Sequence, residues 1–268
     1  MPLDIIQTDD RHRIAFEAFG VPISLEVPSA ELLSRVVAVL PPGWRPCESV
    51  PKDHQFRLNT RDGVSYRVEH PGQSLAGSND LDVALDVLDS ELRSFVALGA
   101  PDHIFVHAGV VGLDNRAIVV PGPSFSGKTT LVSEFVRAGA LYYSDDLAAL
   151  DRDGQVHPYP KPVSIRDNGF SQVDHDVAVL GGSTGKTPIP VGTIIFSQYR
   201  PGAAWNPHQL SPGDGLLALL SNAAPAQERP EQTLTALKQA IDGAVILEGE
   251  RGEASEVVEQ LLVSADGR

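Results

Sequence analysis

The chain has 268 residues, 42% hydrophobic and 21% charged, which is enough apolar surface for a real core and excludes wholesale disorder. Its 21 Lys and Arg face 35 Asp and Glu, a net charge of −14. No general attraction therefore draws it to nucleic acid or anionic lipid, although a local basic pocket still suits a nucleotide. The single cysteine, Cys47, excludes an internal disulfide. The opening MPLDIIQTDD has neither a basic nor an apolar leader stretch, and no apolar run approaches the ~20 residues of a membrane span. These features predict a soluble cytoplasmic protein with no nucleic-acid or membrane partner.

Residues 1–100 read as a small α+β unit. Ile14, Phe16 and Ala18 alternate with polar neighbours, and Val21, Ile23, Leu25 and Val27 continue the period of two beyond Gly20. Ser29 is placed to cap a helix carrying Leu32, Leu33, Val36, Val37 and Leu40, stopped by Pro41-Pro42-Gly43. Phe56/Leu58 and Val64/Tyr66/Val68 flank the turn signal Asp62-Gly63. From Asn79 a longer helix presents Leu81, Leu85, Leu88, Leu92 and Phe95 on one face and ends at Gly99; core packing accounts for that stripe.

Residues 101–268 read as a second, α/β domain. Ile104–Val106, Val110-Val111 and Ala117–Val120 are short apolar runs, the last two joined by a turn at Asp114-Asn115. A Pro/Gly-rich stretch (157–192) precedes a strand at Thr193–Phe196 and a helix bearing Leu216, Leu217, Leu219 and Leu220. Asn222–Pro230, with no large apolar residue, is expected to be a mobile surface loop. A helix over Gln232–Ile241, a strand at Ala244–Leu247 and a closing helix with Val257, Val258, Leu261 and Leu262 complete the chain.

Gly122-Pro123-Ser124-Phe125-Ser126-Gly127-Lys128-Thr129 meets every position of G-x-x-x-x-G-K-[ST], with an apolar strand before it and a helix, from Thr130 on, after it. The glycines let backbone N–H groups wrap a phosphate, and the helix N-terminus adds its dipole. Lys128 is expected on the β- and γ-phosphates and the Thr129 hydroxyl beside Mg²⁺. A second glycine-rich run, Gly181 to Thr187, fails the test: Leu180 stands where the first glycine belongs, and Pro188 and Pro190 forbid the helix that follows such a loop.

Beyond the loop helix comes Leu141-Tyr142-Tyr143-Ser144-Asp145-Asp146. A strand returning from that helix brings its carboxylates to the rim that carries the phosphate loop. Phosphoryl transfer needs one carboxylate for the metal and often another for the acceptor's proton, and adjacent aspartates can divide those roles. His107, set between apolar segments that lead to the loop, is read as either a contact in this site or a hydrogen-bonded structural histidine. His157 reads as loop chemistry, and Lys161 or Arg166 as a phosphate clamp or a solvated surface charge.

His107-Ala108-Gly109-Val110-Val111, a hairpin, the Gly122–Thr129 loop, Arg137-Ala138-Gly139-Ala140 and Ser144-Asp145-Asp146 together resemble the catalytic domain of HPr kinase/phosphorylase. Within that group the chain looks closest to HPr-kinase-like proteins, some encoded beside peptide-modification genes. The resemblance spans roughly residues 103–166 and implies a mixed sheet with flanking helices, a P-loop fold shared with phosphoenolpyruvate carboxykinases. It implies Asp145 as general base on the acceptor hydroxyl, Asp146 and Thr129 beside Mg²⁺, His107 lining the site and Arg166 in place of a family arginine. Residues 1–100 do not match the N-terminal domain of the HPr enzymes.

The sequence thus predicts a Mg-ATP-dependent kinase acting on a hydroxyl, most simply Ser or Thr of a protein or peptide. Catalytic residues are Asp145, Lys128, His107 and Arg166; the nucleotide lies on residues 122–130, and the metal on Thr129 and Asp146. Two other readings stay open: a kinase for a small-molecule hydroxyl, and a nucleotide-binding regulatory module with slow ATPase activity. The family analogy leaves a homo-oligomer open.

Overall fold

The computed structural model describes residues 6–8, 11–61, 64–70, 73–124, 126–166 and 172–266. The chain divides into two compact units, Met1–Asp102 and His103–Arg268.

The first unit is a sheet with two helices. Its strands are β1 (Ile6–Thr8), β2 (Arg11–Ala18), β3 (Val21–Val27), β4 (Arg45–Pro46), β5 (Gln55–Arg61), β6 (Ser65–His70) and β7 (Gln73–Ser78). The order is β1-β2-β3-β5-β6-β7, with β4 on β2, and β3–β5 is the one parallel pairing among the described residues. Residues alternating along β2, β3 and β5 are buried, among them Phe16, Ile23, Leu25, Phe56 and Leu58. Helix α1 (Ala30–Val37) is capped as expected, the Ser29 hydroxyl accepting the Leu32 N–H at 3.2 Å. It ends three residues before Leu40, which is nonetheless buried. Helix α2 (Leu81–Gly99) starts behind Asp80, whose carboxylate accepts the Asp82 N–H, and it buries Leu85, Leu88, Leu92 and Val96. The expected Asp62-Gly63 turn lies outside the described residues; the flanking strands pair antiparallel with Thr60 opposite Tyr66.

The second unit has three layers. A mixed sheet holds β8 (His103–Leu113), β9 (Arg116–Pro121), β10 (Leu141–Ser144), β11 (Leu147–Asp151), β12 (Gln155–His157), β15 (Ile189–Tyr199), β16 (His208–Gln209) and β17 (Val245–Arg251), with β13 (Val163–Arg166) and β14 (Gln172–His175) as a separate pair. Helices α3 (Lys128–Arg137) and α6 (Ala254–Asp266) form one layer, and α4 (Pro212–Leu220) and α5 (Pro230–Ile241) the other. Strand β9 is buried on both faces: Ile118 and Val120 join the core under α3 and α6, Ala117 and Val119 that under α4 and α5. This explains a continuous apolar run where a half-exposed strand would alternate.

Two expectations need correction. Ile104–Val106 and Val110-Val111 belong to one eleven-residue strand, β8, that runs through His107 and two glycines. The glycines are sites of close approach rather than breaks: a Cβ at Gly109 would lie 2.5 Å from a Val132 methyl, and one at Gly112 2.8 Å from the Tyr143 ring. The start of Asn222–Pro230 docks on that strand, the His107 N–H donating to the Asn222 carbonyl (2.8 Å) and Ala223 bridging to Val106. The β8–β9 turn is as expected, with Asp114 and Asn115 both left-handed (φ 48° and 57°).

Strands β9, β15 and β17 are parallel, so Pro121, Tyr199 and Arg251 end on one rim. Among the described residues no helix is long and apolar enough to cross a membrane.

Candidate active site

Strand β9 delivers the chain to residues 122–129 and α3 begins at Lys128. Gly127 caps α3 in the left-handed region (φ 87°), a conformation that favours glycine. The Gly122 N–H donates to the His107 carbonyl (3.2 Å) and the Ser126 N–H to the Pro123 carbonyl (3.3 Å), which bends the loop tightly. A Cβ at Gly122 would meet the Ser126 hydroxyl at 2.8 Å. The first N–H groups of α3, from Lys128 to Thr130, have no acceptor within the helix and sit at its positive end. Pro123, Ser124 and Thr130 are exposed, and Phe125 lies outside the described residues.

Lys128 is 6% exposed, and its ammonium donates to the carbonyls of Gly122 and Pro123, both at 2.8 Å. Burial lowers its pKa, and the charges of Asp146 and Asp145 oppose that shift. Both hydrogen-bond acceptors of this buried ammonium are thus neutral carbonyls of the loop itself.

Asp145 and Asp146 follow β10, in the link to β11. The buried Ser144 hydroxyl accepts the N–H groups of Asp146 (3.2 Å) and Leu147 (3.1 Å), and Ala108 donates to the Asp146 carbonyl (3.0 Å). The two carboxylates then part company. Asp145 is 6% exposed; one oxygen accepts the Tyr142 hydroxyl (3.0 Å), the other the Ser164 N–H (3.2 Å) and the Thr129 hydroxyl (3.4 Å). Burial lifts its carboxyl above the usual range, while the bonds from Ser164 and Tyr142 pull it back. Asp146, with 27% of its side chain exposed, has an oxygen 3.5 Å from His107 Nε2. The structure therefore sets Thr129 against Asp145, where the resemblance pairs it with Asp146.

Lys161 belongs to the same neighbourhood: its carbonyl accepts the Tyr142 hydroxyl (2.8 Å) and its charge acts on Asp145. Arg166 ends β13, the strand whose Ser164 touches Asp145, but its side chain lies outside the described residues. His157 is engaged elsewhere, 2.8 Å from an Asp151 oxygen and edge-on to the His103 ring.

Sequence reasoning missed two residues. Tyr142 was given no role, yet its hydroxyl donates to Asp145. Arg251 was missed because the Glu-Gly-Glu-Arg run hid the second half of β17, although continuing the period of two from Val245 through Leu247 and Gly249 reaches it. It is 2% exposed and donates to the Gly127 carbonyl at 2.9 Å.

The rejected glycine run has a packing role. Ser183 accepts the Tyr142 N–H and Gly185 donates to the Tyr142 carbonyl, both at 2.8 Å, so the run lies along β10 like a further strand. A Cβ at Gly182 would overlap Val136 and one at Gly185 the Tyr143 ring. Gly185→Ala is expected to lower unfolding free energy by about 1–3 kcal/mol in urea titration. Lys186→Ala is expected to leave nucleotide affinity unchanged; a loss would make this run a phosphate loop after all.

No protein-family model and no curated protein sequence matches the chain. Among solved structures it is similar to the HPr(Ser) kinase/phosphatase from Coxiella burnetii, with 16% identity, a TM-score of 0.36 and coverage of 60% of this chain and 95% of that one.

Proposed function

We propose that the second unit is a Mg-ATP-dependent phosphotransferase acting on a hydroxyl, most simply Ser or Thr of a protein or peptide. The observation that carries this reading is the convergence of three parts on one sheet rim: a glycine-shaped loop at a helix N-terminus, a buried lysine folded over it, and two carboxylates within reach of Thr129 and His107.

The donor set suits a nucleoside triphosphate with Mg²⁺. Backbone N–H groups of residues 124–130 and Lys128 would hold the phosphates, and Thr129 with one aspartate the metal. Mg²⁺ keeps several waters and takes oxygens from phosphate, so two protein ligands suffice. When bound, Mg-ATP supplies the transferable phosphoryl group and the metal that neutralises its charge.

The contacts favour a division of labour opposite to the one the resemblance implies. Asp145 is enclosed by three donors, Thr129 among them, which suits a carboxylate that orients the metal side. Asp146 is the more open of the two and has His107 beside it, which suits a group that must touch an incoming hydroxyl and take its proton. His107 orients that carboxylate. Tyr142 and Ser164 hold Asp145 in place.

The test is transfer of γ-labelled phosphate from ATP with Mg²⁺ to HPr, candidate peptides and cell lysate, with acid-stable label mapped by mass spectrometry. Label on a Ser or Thr hydroxyl is the expected result. ATP binding with label only on a small molecule would replace the acceptor class, and slow release of free phosphate alone would favour a regulatory module. The acidic pair favours an enzyme over such a module, which has no use for a proton acceptor. A cytoplasmic setting, where ATP is plentiful, goes with this proposal.

A further inference from the structure

Arg251 is a cation built into the protein interior. It lies at the end of β17, on the strand face that also carries Leu247, which packs against the α3 and α6 core. Its Nη2 donates to the Gly127 carbonyl (2.9 Å) and its Nη1 to the Gly252 carbonyl (3.1 Å), while Nε is buried without a hydrogen-bond partner. The Tyr199 ring lies 5.6 Å from its guanidinium carbon, and the carboxylate whose charge acts on it, Glu253, makes no ion pair with it among the described residues. A Cβ on Gly127 would overlap the guanidinium, so the glycine that shapes the phosphate loop also makes room for the arginine.

A buried charge with no carboxylate in contact is costly to the folded protein, and the Glu253 charge, which acts on Arg251 without pairing with it, offsets only part of that cost. Two carbonyl oxygens and an aromatic face offset part of that cost, and an anion on the loop beside Gly127 would supply the rest. The Gly127 carbonyl does not need the arginine, since it also accepts the Leu131 N–H (3.2 Å) that starts the α3 ladder.

We propose that Arg251 is a positioning residue of the polyphosphate site: through Gly127 it fixes the loop, and its charge raises the loop's affinity for the phosphate chain of a nucleotide. This rests on the nucleotide reading given above. Arg251 reaches the loop from a strand more than a hundred residues further along the chain, so the loop's affinity depends on β17 being in register.

The experiment compares wild type, Arg251→Met and Arg251→Lys by thermal unfolding and by calorimetric titration with inorganic tripolyphosphate, Mg-ATP and adenosine. Arg251→Met is expected to unfold at the wild-type temperature or higher without ligand. Its tripolyphosphate and ATP affinities are expected to fall about 10-fold or more, with Lys recovering part of the loss and adenosine binding unaffected. Wild-type affinity for tripolyphosphate in a folded Arg251→Met protein would overturn the inference while leaving the nucleotide reading intact. A Met protein that unfolds at lower temperature, with Lys no better than Met in either measurement, would make the arginine merely structural. Absence of tripolyphosphate and ATP binding in wild type would overturn both.

Discussion

Asp146→Asn is expected to lower the rate of phosphoryl transfer by about 10²–10⁴-fold, with affinity for ATP and for Mg²⁺ kept. The substitution preserves shape but removes the proposed base beside His107, which approaches Asp146 to 3.5 Å. Asp145→Asn is expected to act differently. The group held by Thr129, Tyr142 and Ser164 is the one proposed to orient the metal side, so its loss is expected to raise the Mg²⁺ concentration for half-maximal rate by about 10–100-fold, with excess Mg²⁺ restoring part of the rate. Mg²⁺ titrations of the two variants at saturating ATP separate the roles. The reverse pattern, with Asp145→Asn dead at every Mg²⁺ concentration and Asp146→Asn rescued, would restore the division that the family resemblance implies.

Lys128→Ala is expected to weaken ATP binding by about 100-fold or more while leaving adenosine binding unchanged. The argument is electrostatic and geometric. The ammonium is almost wholly buried, with two carbonyls of the loop as its hydrogen-bond acceptors, and burial already disfavours its charge. An anion that replaces those neutral partners gains a charge-assisted bond in a poorly solvated place. Equal ATP affinity in the variant, by calorimetry, would mean that the phosphates do not lie here.

The parts of the fold that the sequence made legible are those where local chemistry decides the outcome. Ser29 caps its helix because a short polar side chain before an apolar stripe has one productive use. Asp114-Asn115 turns a hairpin because few residue pairs tolerate two left-handed conformations in succession. The strand–loop–helix over 117–137 follows from an apolar run, a spaced glycine pair and a helical stripe.

What was not legible depends on partners far along the chain. Gly109 and Gly112 look like interruptions until Val132 and Tyr143 are seen against them, so β8 read as separate pieces. Residues 222–224 look like a free loop because the Asn222 carbonyl and the Ala224 N–H bond to the backbone of β8, which no side-chain pattern encodes. Within the site, spacing alone proposed the loop and the acidic pair as candidates. It could not say which aspartate would meet Thr129, because adjacent residues on a bend diverge in a way set by Ser144 and Ala108. Arg251 depends on a strand whose last residues carry the charges of a surface and the burial of a core.

The most direct measurement is a crystal structure of the protein with Mg²⁺ and a non-hydrolysable ATP analogue. The account predicts the phosphate chain along residues 122–129, the Lys128 ammonium moved from the Gly122 and Pro123 carbonyls onto a phosphate oxygen, and the metal beside Thr129 and Asp145 with Asp146 facing the γ-phosphate. A nucleotide bound elsewhere, with Lys128 still on those two carbonyls, would contradict it.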